Sequence, residues 1–78
     1  MVTAQKLREL QNARPFQRFI IRLADGREIP VNHPEWMMIL PSGRIAHVTQ
    51  KDDSVNFIDV LLITDLEVRP PAKARAAG

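Results

Sequence analysis

FIIRLADGREIPV, residues 19–31, joins two apolar runs through an Asp-Gly pair, the strongest short-range hairpin signal a sequence carries. Partners across an antiparallel pair point to the same face, so a slip of one residue inverts every side chain. A two-residue loop at Asp25 and Gly26 pairs Leu23 with Glu28 and Ile21 with Pro30, setting apolar against polar. A three-residue loop of Ala24, Asp25 and Gly26 pairs Phe19 with Val31 and Ile21 with Ile29 on one face, and Arg22 with Glu28 on the other. The longer loop is therefore expected, with Gly26 in the left-handed position where a missing Cβ removes the steric cost. This register leaves Ile20 beside Pro30 on the outer face. Pro30, having no N–H, must stand on an edge or turn its nitrogen away from a neighbouring strand.

Upstream, residues 3–12 read as a short amphipathic helix capped by Thr3, with Leu7 and Leu10 on one face. So short a helix cannot persist alone and must dock on the sheet as a lid. Pro15 forces Arg14 out of helical space and ends it. Downstream, residues 36–40 and 44–50 form a second hairpin around Pro41, Ser42 and Gly43, and a three-residue loop there sets Ile39 against Ile45, Met38 against Ala46, Met37 against His47 and Trp36 against Val48. Both faces of WMMIL are apolar, as in a strand covered on both sides. Lys51, Asp52, Asp53 and Ser54 make a polar turn before residues 55–58, whose register the pattern leaves open. Asp59 then caps a helical turn over Val60, Leu61 and Leu62. The last strand, residues 63–68, has Leu66 and Val68 inward and Asp65 and Glu67 outward.

This order predicts a mainly β domain (α+β) over residues 1–69: an N-terminal helix followed by a small five-stranded, partly open barrel of SH3-like or Sm-like type, with one helical turn before the last strand. Residues 70–78 lack apolar periodicity and are expected to form a disordered tail.

Composition narrows the functional classes. The 78 residues contain no cysteine, which excludes disulfides and thiolate metal ligation and fits a reducing compartment. No apolar run approaches the roughly 20 residues of a membrane span, and the N-terminus has no apolar signal segment, so a cytoplasmic location without a membrane partner is expected. The net charge of +2 is uneven. Residues 1–44 hold seven Lys or Arg against four Asp or Glu; residues 45–68 hold one lysine against five acids; residues 69–78 add three cations. The expected folded part is thus near neutral, whereas a polyanion binder carries its positive charge as a patch on the folded surface.

The run RPFQRFIIRLADGREIPVNHPEW, a following GR and the closing FIDVLLITDLEV resemble a group of small uncharacterised bacterial proteins that share RPF, a strand ending in DGR, then HPE, then a terminal ID and IT segment. The resemblance covers residues 14–67 and implies a fold and a bacterial origin, with no assigned chemistry. Similarity to Sm-like proteins extends to strand order alone, and the residues those proteins use to bind RNA are not found.

Candidate sites are few. His33, Glu35, His47, Asp52 and Asp53 are the only metal-ligand candidates; a His-x-Glu pair cannot complete a site alone, and no metal or cofactor is expected. Without cysteine or tyrosine, and with Ser42 and Ser54 both in turns, no nucleophile has a base and an orienting group in reach, so no catalytic residue is assigned and the chain is read as a non-enzyme. The leading reading is a binding or assembly module whose partner, an unidentified protein or a second copy, meets Ile20, Trp36, Met37 and Met38. The alternative is weak nucleic-acid binding through Arg14, Arg18 and Arg27 with the basic tail. It is weakened by the expected Arg22–Glu28 pair and by the aromatics Phe16, Phe19, Trp36 and Phe57, most of them expected inside.

Overall fold

The structure, a computed structural model, describes residues 2–70. The expected tail, from residue 71 onward, lies outside the described residues. In chain order the elements are helix α1 (Ala4–Gln11), β1 (Phe19–Leu23), β2 (Glu28–Val31), a 3-10 turn (Pro34–Trp36), β3 (Met37–Ile39), β4 (Ile45–Thr49), β5 (Val55–Asp59), a second 3-10 turn (Val60–Leu62) and β6 (Ile63–Val68). The fold is mainly β with one N-terminal helix.

The first hairpin has the expected register, Phe19 against Val31, Ile20 against Pro30, Ile21 against Ile29 and Arg22 against Glu28. Gly26 donates its N–H to the Leu23 carbonyl at 2.9 Å and sits at φ +93°. A Cβ there would meet nothing within 4 Å, so the demand for glycine is conformational alone. Gly26→Val should accordingly destabilise by about 1–2 kcal/mol, read as a lower urea midpoint; an unchanged midpoint would contradict the left-handed turn. The turn is braced by Asp25, whose carboxylate accepts from the Arg27 backbone N–H and Nε (3.1 and 3.0 Å). Those bonds, the backbone one foremost, hold the Asp25 carboxyl below its usual range.

Two expectations are corrected. First, the described residues form six strands, not five, in two three-stranded antiparallel sheets ordered β2-β1-β6 and β3-β4-β5, and among them no ladder joins the sheets, so no barrel closes. The additional strand is β5. Its turn repeats the design of the first: Asp53 N–H donates to Gln50 O (3.0 Å) with Asp53 at φ +70°, where Gly26 stands in the other, and Asp52 accepts from Ser54 N–H and Oγ (3.0 and 2.7 Å).

Second, the β3–β4 register is shifted by one, to Met37 against Val48, Met38 against His47 and Ile39 against Ala46. Gly43 N–H donates to Leu40 O (2.8 Å) in a tight turn, Arg44 becomes a fourth loop residue, and Leu40 N–H donates to Ile45 O (2.9 Å). Gly43, at φ +75°, still takes the left-handed position. Because WMMIL is apolar on both faces, the slip breaks no hydrophobic pattern, and the turn geometry decides.

A single core gathers Leu7 of α1, the inner residues of both sheets and Val60 of the second 3-10 turn. The Thr3 hydroxyl caps α1 by accepting from Lys6 N–H (3.3 Å), and Asp59 caps the 3-10 turn by accepting from Leu61 N–H (2.9 Å). Leu66 packs partly against the core as expected, whereas Val68, at the strand end opposite Phe19, is exposed. No helix among the described residues is long and apolar enough to cross a membrane.

Candidate functional site

On the outer face of the first sheet, β1 lies between β2 and β6, which places Arg22 among three carboxylates. Its guanidinium reaches Glu28 (3.1 Å), Asp65 (2.9 Å) and Glu67 (2.6 Å). Hydrogen bonds to Glu67, Glu28 and Asp65 hold this guanidinium charged well above its ordinary range. Glu67 also lies 3.0 Å from Arg69. The expected Arg22–Glu28 pair is therefore part of a larger network, and Arg22 offers no free charge to a polyanion.

The three candidate arginines, Arg14, Arg18 and Arg27, do not converge on one another, although Arg18 lines a small cleft with Arg69. Arg27 is paired with Asp25 at 3.0 Å and, by strand alternation, faces opposite to Arg22. Arg18 lies at the far end of the same hairpin, roughly 17 Å along the strand from the level of Arg27. Arg14 stands on the rim of a separate cleft of about 380 Å³, where α1 runs out against Phe16 and Pro34. That cleft has Arg14 as its single charged residue, so it presents no acid and base in reach of each other.

The four expected contact residues also separate. Met37 points into the core and is buried, which removes it from any surface. Trp36 is half-buried in the first 3-10 turn with its ring centroid 4.3 Å from that of His33, edge on. Ile20 is half-buried on the outer face of the first sheet, beside Pro30 as expected. Met38 stands on the opposite side of the molecule's layering, on the outer face of the second sheet, 54% exposed.

Around Met38 the one-residue shift builds a surface that the sequence reading missed. Met38 pairs with His47, and His47 with Phe57, so the three form one row across β3, β4 and β5. Phe57 is 67% exposed, the largest value among the exposed large apolar residues, on a strand whose register the sequence pattern leaves open. The rings of His47 and Phe57 lie 5.9 Å apart and tilted, and His47 Nδ1 is buried without a hydrogen-bond partner among the described residues. Val55, two residues from Phe57 on the same face, is also exposed. No group of three or more metal-ligating side chains comes together among the described residues. This face thus offers an apolar, polarizable row with one imidazole, suited to contact with another apolar surface. No known protein family, curated protein or solved structure matches this chain.

Proposed function

We propose that this chain is a non-catalytic binding or assembly module whose contact surface is the outer face of the second sheet, centred on Phe57. One observation carries the reading: Met38 and Phe57 stand more than half exposed on either side of His47 in one cross-strand row. A scatter of single exposed apolar residues is ordinary, but a contiguous row on a sheet face marks a place where something docks. The architecture we read as an open relative of small SH3-like and Sm-like barrels, in which the 3-10 turn before β6 carries the chain from one sheet to the other. The nucleic-acid alternative is less well supported, because Arg22 and Arg27 are ion-paired and Arg14 and Arg18 stand apart.

Capture from lysate of a bacterial host, with the parent and Phe57→Lys as baits and each arm run with and without nuclease, tests this reading. We expect a nuclease-resistant catch on the parent that Phe57→Lys loses. A catch that nuclease abolishes and Phe57→Lys retains would replace the reading with the nucleic-acid one.

A further inference from the structure

We propose that the partner at this face is a second copy of the chain, bound by antiparallel pairing of β5 with β5 about a two-fold axis at Phe57. The β3-β4-β5 sheets of the two copies would thereby become one continuous sheet. The proposal rests on the preceding reading of the face as a contact surface and names what occupies it.

The hydrogen bonds flanking the β4–β5 ladder assign its edges. Gln50 N–H donates to Ser54 O and Val60 N–H to Arg44 O, each at 2.8 Å. In an antiparallel ladder bonded pairs alternate with non-bonded ones, so Asn56 and Ile58 direct their backbone groups to β4, while Val55, Phe57 and Asp59 direct theirs to the free edge. Two other edges are partly blocked. On β3 the outward Met37 carbonyl accepts from Gln11 Nε2 of α1 at 2.7 Å. On β2 the outward positions are Glu28 and Pro30, and Pro30 has no N–H and its carbonyl accepts from Gln50 Nε2 at 3.2 Å.

The β5 edge is also where exposed apolar side chains collect. Of six exposed large apolar residues among the described residues, four (Val55, Phe57, Leu61 and Leu62) fall within residues 55–62. An unpaired edge flanked by apolar side chains is a template for another strand.

The occupant follows from self-complementarity. Outward groups at Val55, Phe57 and Asp59 are symmetric about Phe57, so a two-fold axis sets Phe57 against its own copy and Val55 against Asp59 of the second copy, with about four backbone hydrogen bonds, the Asp59 carbonyls being engaged in their own 3-10 turns. Asp59, whose carboxylate already caps the 3-10 turn, then faces an apolar residue and not a like charge. Met38, His47 and Phe57 continue into the same row of the second copy. The remaining edge, β6, is a poorer partner for β5: its outer face presents Asp65 and Glu67, already committed to Arg22, and pairing with it would be head-to-tail.

The absence of native cysteine permits a test of register. In the proposed pair the two residues 57 have Cα atoms about 5.5 Å apart, inside the roughly 4.4–6.8 Å that a disulfide spans. The two residues 55 are about 14 Å apart along the strands. Under mild oxidation Phe57→Cys should convert to a covalent dimer while Val55→Cys stays monomeric. By sedimentation at micromolar to submillimolar concentration the parent should be a dimer and Phe57→Lys a monomer with unchanged far-UV circular dichroism. A monomeric parent over that range would overturn the proposal, as would cross-linking of Val55→Cys as fast as Phe57→Cys, or open-ended species linked through Phe57→Cys and Leu66→Cys. A monomeric parent whose lysate catch still depends on Phe57 would remove the second copy and leave the contact surface standing.

Discussion

Phe19→Ala is expected to lose a large share of the chain's stability, while Phe57→Ala loses almost none. Phe19 lies on β1, the central strand of its sheet, fully buried, with Val31 and Val68 as cross-strand partners and the Phe16 ring at 6.1 Å. Truncating a buried phenylalanine costs about 3–5 kcal/mol through lost burial and the cavity left behind. A domain of this length has in total roughly 4–12 kcal/mol, at 0.05–0.15 kcal/mol per residue. Phe57 already stands mostly in water, and surface substitutions of that kind shift stability by about 0.5 kcal/mol or less. Urea unfolding of the two variants beside the parent, at a protein concentration too low for two copies to pair, measures the difference. Equal shifts would mean that Phe57 is packed as Phe19 is, and the contact face would disappear with that result.

These two phenylalanines also mark what the sequence could and could not say. Phe19 belongs to a strand whose alternation is one-sided: Phe19, Ile21 and Leu23 share a face and Arg22 opposes Glu28, so one register satisfies both sides and a slip would be penalised at every pair. Glycine at the left-handed turn position added a second, independent signal. The β4–β5 turn has the same geometry, but with Asp53 where Gly26 stands, and a residue that only tolerates the left-handed region announces it less clearly. In VNFID each face has one polar member, Asp59 beside Val55 and Phe57, Asn56 beside Ile58, so alternation alone could not choose which face lies inside. The core's choice of Ile58 over Phe57 is a matter of packing across the whole domain.

The contact residues were harder still. Met37 and Met38 are both candidate contacts in the sequence; strand alternation puts the two neighbours on opposite faces in either register, and the single-residue shift decides that Met37 is the buried one and Met38 the exposed one. That shift comes from Arg44 joining the loop after Gly43, where Ser42 Oγ accepts the Arg44 N–H at 3.1 Å. Ile20, by contrast, was placed correctly because its register followed from the first hairpin, yet it stands on the other sheet from Met38. Local pattern therefore found individual apolar residues on outer faces, while their grouping into a surface depended on which strands become neighbours.

Leu7→Ala should destabilise the whole domain and not merely release its helix. Alanine is the better helix former, so the substitution leaves local propensity intact and acts only through packing. Leu7 is the one buried residue of α1, belongs to the same core as Met37 and Phe19, and its truncation should cost about 2–5 kcal/mol. An eight-residue helix does not persist undocked, so the helix and the sheet should lose structure together. Gln11 strengthens that coupling, since its amide donates to both Pro34 O (2.9 Å) and Met37 O (2.7 Å), the carbonyls on either side of Trp36. Trp36, the only tryptophan, reports that junction by fluorescence, and far-UV circular dichroism reports secondary structure throughout. In urea the two transitions of Leu7→Ala should coincide and both move to lower concentration. Helical signal lost while the Trp36 transition keeps the parent midpoint would show α1 to be a separate lid.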